Sequence, residues 1–195
     1  MDSKKNAELK IIKDEVVALK NSPLYEARVE NKYFPVIGEG NHDASLMFIG
    51  EAPGETEAKT GRPFVGRAGK LLDKLLEEVG IKRSDVYITN IVKDRPPGNR
   101  DPLPEEISVY APFLDRQVEI IRPKVIATLG RFSMQYVMNH YGLEWELAPI
   151  SILHGKVFEA PNFKFIPLYH PAAAIYNQEL LKTLQQDFQI LKSVL

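Results

Sequence analysis

The chain has 195 residues, 44% of them hydrophobic, a formal net charge of -1 and no cysteine. That length buries one substantial core and fits one domain, expected over residues 1–195 with an N-terminal helical segment (1–22) packed on it. The charge argues against a strongly basic nucleic-acid coat but leaves a local basic patch open, while the missing thiols exclude disulfides, a cysteine nucleophile, Cys-based zinc sites and Cys-ligated iron–sulfur clusters.

In chain order, KIIKDEVVAL (10–19) spaces its apolar residues as an amphipathic helix that stops before NSP. Residues 21–41, with Pro and Gly, read as irregular, and SLMFIG (45–50) as a strand covered on both faces. GKLLDKLLEEVG (69–80) has helical spacing and a terminal glycine, and DVYITNIV (85–92) is β-rich. A long helix follows in LPEEISVYAPFLDRQVEIIRP, with acids in its first turn, then a buried strand KVIATLG and a short helix RFSMQYVMNHYG. KVFEAPNFKFIPLYHP reads as two strands around a Pro-Asn turn, and ELLKTLQQDFQILKSVL as a closing amphipathic helix. Alternating strands and helices imply an α/β fold, a mainly parallel sheet with helices on both faces. No apolar run reaches membrane-spanning length, and the charged start MDSKKNAELK lacks a secretion signal's apolar segment; a soluble, cytoplasmic protein is expected.

Ligands of such sheets bind beyond the C-terminal strand ends, where three loops fall: 50–66, 90–100 and 169–176. The first offers Gly50, Gly54, Gly61 and Gly66 for close backbone approach, the acids Glu51, Glu55 and Glu57, and the aromatic face of Phe64. It lacks GxxxxGK[ST] and GxGxxG, and its acids repel phosphate, so a phosphate loop fits poorly; a structural turn with solvated acids is the plain alternative. The second holds Asn90 at a strand end, an amide able to read a base edge, with Lys93, Arg95 and Arg100 held among prolines for backbone phosphates; strand capping and ordinary surface charge explain it equally. The third sets His170 directly after a strand, placed to donate to a developing anion or to serve structure alone. His42, His140 and His154 share no ligand spacing, so no metal site is expected. Together the loops suit a flipped nucleobase.

GEAPGETEAKTGRPFVGRAG, VYITNIVKDRPPGNRDPLPEE and YHPAAAIYN together resemble the uracil-DNA glycosylase superfamily, and within it the family 4 bacterial and archaeal enzymes. The resemblance implies a monomeric α/β/α sandwich that flips uracil out of single- or double-stranded DNA and hydrolyses its N-glycosidic bond in base excision repair. By position, Phe64 matches the aromatic that stacks on uracil, Asn90 the amide on its Watson–Crick edge and His170 the histidine beside O2. Gly50, Glu51 and Ala52 belong to the same pocket, with Glu51 on the water and sugar side, and Glu57 matches an acid near C5. Ala52 stands where another branch has a water-activating Asp, so Glu51 and Glu57 are the candidate bases. A wedge for the vacated stack falls among residues 174–176, with Ile175 and Tyr176 as DNA contacts.

Family 4 resemblance also implies four cysteines for a [4Fe-4S] cluster; the aligned positions here are Leu19, Ser22, Asp94 and Tyr110. No cofactor is therefore expected, and Leu19 packing on Tyr110 is expected to replace the tie. An inactive uracil- or damage-binding module is the alternative function, and a metal-dependent nucleotide-phosphate hydrolase a third.

Overall fold

Six strands form one sheet in this computed structural model, which describes residues 3–195; residues 1 and 2 of the expected domain and N-terminal segment lie outside the described residues. The strands are β1 (Glu39–Gly40), β2 (Leu46–Gly50), β3 (Tyr87–Asn90), β4 (Val125–Leu129), β5 (Phe158–Glu159) and β6 (Lys164–Leu168), in the order β1-β3-β2-β4-β6-β5. The inner four run parallel, and the two-residue strands β1 and β5 close the edges antiparallel. Every residue of β2, β3 and β4 is buried, as expected of strands covered on both sides, although β3 ends in the polar Thr89 and Asn90.

The helices are α1 (Ser3–Val17), α2 (Tyr25–Glu30), α3 (Glu55–Thr60), α4 (Arg67–Glu78), α5 (Pro104–Ile121), α6 (Arg131–His140), α7 (Ile150–Leu153), α8 (Pro171–Ala174) and α9 (Gln178–Ser193). Alternate strand side chains feed two cores. Met47, Ile49, Ile126 and Phe165 pack with Ile12 and Val16 of α1, Leu114 of α5 and Val137 of α6. Leu46, Phe48, Ala127 and Ile166 pack with Leu72 and Leu75 of α4 and Leu184 and Phe188 of α9. This is the expected three-layer α/β/α sandwich. No helix among the described residues is long and apolar enough to cross a membrane.

Two segments differ from the sequence expectation. Residues 21–41, read as irregular, contain α2 and β1, and the first loop encloses α3. Both helices span six residues, too short to show apolar periodicity and too short to persist without tertiary support. For α2 that support includes Arg28, which is buried.

Candidate active site

The parallel register sets Gly50 opposite Asn90, so the ends of β2 and β3 are level. The ladder continues into both loops, with Ile91 N donating to Gly50 O at 3.1 Å and Val92 N to Glu51 O at 3.0 Å. Beyond these ends lies a cavity of about 450 Å³ lined by Glu51, Glu57, Phe64, Asn90, Arg100 and His170, with Ala52 and Ile175. All three sequence-identified loops thus meet at one site.

Gly50 makes this convergence possible. A Cβ there would stand 2.3 Å from Asn90 Oδ1 and 2.7 Å from the Phe64 ring, so any side chain would displace the amide or the aromatic. Phe64 itself sits at φ 49°, a conformation that costs a non-glycine residue energy and needs bracing. Arg83 supplies the brace. It donates to Pro63 O at 2.7 Å and Phe64 O at 3.1 Å while paired with Asp73 at 2.7 Å. From the other side α4 closes on the same carbonyl, where a Cβ on Gly69 would come within 1.9 Å.

Asn90 is buried, and its Oδ1 has no hydrogen-bond partner among the described residues. An unpartnered buried amide oxygen is costly, commonly about 1–3 kcal/mol, and at a pocket floor it waits for a donor. His170 has its roles fixed by its neighbour: Nδ1 accepts from Ala172 N at 3.1 Å, so the neutral ring carries its proton on Nε2. Burial pushes its pKa down to about 4, with Glu57 working the other way, and the ring is neutral near pH 7. Its centroid lies 5.7 Å from that of Phe64.

The two acids behave differently. Glu57 accepts through Oε1 from Val65 N at 2.9 Å and Gly66 N at 2.7 Å, so it ties α3 to the start of α4. Glu51 is pushed up to about 7, first by burial and then by Asp101, against the pull of Arg131. Asp101 and Arg131, which pair with each other at 2.6 Å, were not singled out by the sequence because each lies outside the three loops.

The cations of the second loop are engaged within the protein. Lys93, expected on DNA phosphate, is 0% exposed, with its amine bonded to Thr89, Asn90 and Gln117, so that expectation is corrected: it reaches no phosphate. The KDRPP spacing that suggested a surface cation instead turns this side chain back under β3. Arg95 donates to Asn99 Oδ1 at 2.7 Å and Tyr33 OH at 2.6 Å. Arg100 grips the buried Glu106 through both carboxylate oxygens, at 2.9 and 2.5 Å. Across the mouth, Tyr176 is 82% exposed and accepts from Arg67.

The residues aligned with cluster ligands do not fit a cluster, since the chain has no thiolate and three of the four are joined to one another. Ser22 Oγ lies 2.7 Å from Tyr110 OH, which donates to Asp94 Oδ2 at 2.5 Å. Arg28 completes the set, donating to Asp94 Oδ2 at 3.1 Å and to the α1 carbonyls of Val16 at 3.0 Å and Val17 at 2.9 Å. A polar network ties the N-terminal segment to the second loop, and Leu19 packs against the core cluster to which Tyr110 belongs. Burial raises the Asp94 carboxyl, opposed by Tyr110 and Arg28.

A model of the family described as Uracil DNA glycosylase superfamily matches residues 37–192. The chain is 45% identical over 191 residues to a type-4 uracil-DNA glycosylase of Sulfurisphaera tokodaii, covering 95% of this chain and 84% of the relative. It is 46% identical over 192 residues to that of Saccharolobus solfataricus, covering 96% and 86%. Identity to the Archaeoglobus fulgidus relative of the same name is 44% over 179 residues, covering 90% and 87%.

Proposed function

The chain belongs to the uracil DNA glycosylase superfamily, and from that premise we propose that it flips uracil out of DNA and hydrolyses the N-glycosidic bond in base excision repair. The observation that carries this reading is the buried, unpartnered Oδ1 of Asn90 beside the Phe64 ring. Uracil stacked on Phe64 gives N3–H to Oδ1 and takes the amide N–H at O4. Cytosine, which has no N3–H and carries an amino group in place of O4, leaves the same groups mispaired.

Cleavage breaks the N1–C1′ bond with its electron pair leaving on the base. His170 Nε2–H donates to O2, and Asn90 to O4, where that charge accumulates, so both bonds strengthen in the transition state. Water adds to C1′ and yields its proton to the Glu51 carboxylate, leaving an abasic sugar and a uracil anion that takes a proton from solvent. Glu57 holds the first loop and, with its remaining oxygen, crowds the C5 side against a thymine methyl. Flipping costs a few kcal/mol, offset by Phe64 stacking and by Ile175 or Tyr176 filling the gap. Arg95 and Arg100 then serve DNA by fixing the loop's shape, with their outer edges available to phosphate.

The substrate is DNA in single- or double-stranded form, handled by a monomer of one domain inside the cell, without a cofactor. The test is a single-uracil oligonucleotide treated with protein and EDTA and then alkali. Breakage at uracil alone supports the proposal. Intact DNA with uracil-dependent binding favours the binding module, and activity that EDTA abolishes favours a metal-dependent hydrolase.

A further inference from the structure

Lys93 is among the largest fully buried side chains of the protein, and no carboxylate among the described residues pairs with it. A buried lysine without an ion-pair partner is rare because the charge is costly to desolvate. Its surroundings define which form is present. The amine lies 2.8 Å from Thr89 Oγ1, 2.6 Å from Asn90 O and 2.5 Å from Gln117 Oε1. Thr89 gives its hydroxyl proton to Ile37 O at 2.6 Å, so its oxygen accepts from the lysine. Gln117 donates through Nε2 to Ile37 O at 2.9 Å and Tyr87 OH at 3.0 Å, which fixes its amide orientation and leaves Oε1 as an acceptor. Three acceptors surround one nitrogen. An ammonium satisfies all three, whereas a neutral amine has two protons and sets a lone pair against an oxygen. Burial pushes the Lys93 amine well below the usual lysine range, opposed by the nearby Asp115 carboxylate, so the case for the charge rests on the three acceptors.

We propose that Lys93 is a positioning residue that holds the Asn90 carbonyl and, as a buried ammonium with no carboxylate in direct contact among the described residues, supplies a positive field to the base leaving from the pocket. This rests on the reading of uracil excision. Asn90 is the residue whose side chain touches the base, and Lys93 is bonded directly to its main chain, so the cation lies one residue away from the developing anion. In a water-poor interior such a charge acts over that distance with little screening.

The two parts of the role separate experimentally through the leaving group. 5-Fluorouracil departs as a more stable anion than uracil and needs less outside help, so removal of a helpful cation harms it less; a merely structural defect harms both alike. Wild type, Lys93→Met and Gln117→Glu are compared in single-turnover excision of each base from the same oligonucleotide, with DNA affinity and melting temperature measured alongside. Lys93→Met is expected to slow uracil excision roughly 30-fold, about 2 kcal/mol, and 5-fluorouracil excision far less, with DNA affinity unchanged. Gln117→Glu keeps an oxygen on the ammonium but cancels its charge, and is expected to show the same base-dependent loss even where Lys93→Met does not fold. Equal losses on the two bases, or no loss in a folded variant, overturn the inference. A wild type that releases neither base overturns the functional reading, and this inference with it.

Discussion

Two buried polar regions flank the second loop and are built on opposite terms. In the pocket, Asn90 Oδ1 lacks a partner among the described residues, Glu51 is pushed up to about 7 and His170 down to about 4. In the Ser22–Tyr110–Asp94–Arg28 network, hydroxyl, carboxylate and guanidinium each find partners within the protein, across segments 66 to 88 residues apart. The first region keeps hydrogen-bonding capacity for a ligand, at a cost in stability. The second spends its capacity on holding the chain. Polar burial marks chemistry when it is incomplete and architecture when it is closed.

The largest effect expected from breaking this contrast is on the closed side. Arg28→Met leaves Asp94 buried without its cation and is expected to cost about 3–5 kcal/mol, lowering the melting temperature by roughly 6–20 °C; a melting point near wild type would show the network to be dispensable. Asn90→Ala is the converse: excision of uracil is expected to fall about 10²–10³-fold while thermal denaturation shows no loss of stability, and a large melting shift would reassign Asn90 to structure. Glu51 sharpens the pocket side through pH. With its carboxyl protonated below about 7, kcat is expected to fall about tenfold per unit as pH drops below that point and to level off above it. The folded state holds this proton up to about 7 against an ordinary glutamate value of 4.5, so Glu51 costs stability as pH rises through that interval; Glu51→Gln is expected to remove the kinetic inflection and to raise the melting temperature at pH above about 7 but not at pH below 4.5. His170, neutral above about 4, adds no second inflection near neutrality, which a pH–rate profile of Glu51→Gln checks. The smallest effect is Tyr110→Phe, expected to cost about 1–3 kcal/mol by leaving Ser22 and Asp94 short of a partner, with kcat at low temperature unchanged.

The sheet was legible because β2 and β4 are largely apolar, wholly buried runs and β3 is rich in β-forming residues, patterns typical of strands covered on both faces. Phe64, Asn90 and His170 were legible because strand-end loops converge in any parallel sheet and the three motifs are specific. Lys93 misled because a lysine among Pro, Arg and Asp carries no local signal that its side chain turns inward. Arg83 and Arg28 escaped notice for a related reason: each acts on residues distant in the chain, through carbonyls that every residue possesses.

By itself the sequence determined the layer order, the three strand-end loops that line the cavity and the impossibility of a thiolate-held cluster, since these follow from local periodicity, motif spacing and residue chemistry. Only the tertiary structure decided which polar groups are paired. That is settled by contacts between distant segments, and those contacts bury Lys93 among three acceptors, push the Glu51 carboxyl up to about 7 and make Tyr110 a link in a closed network.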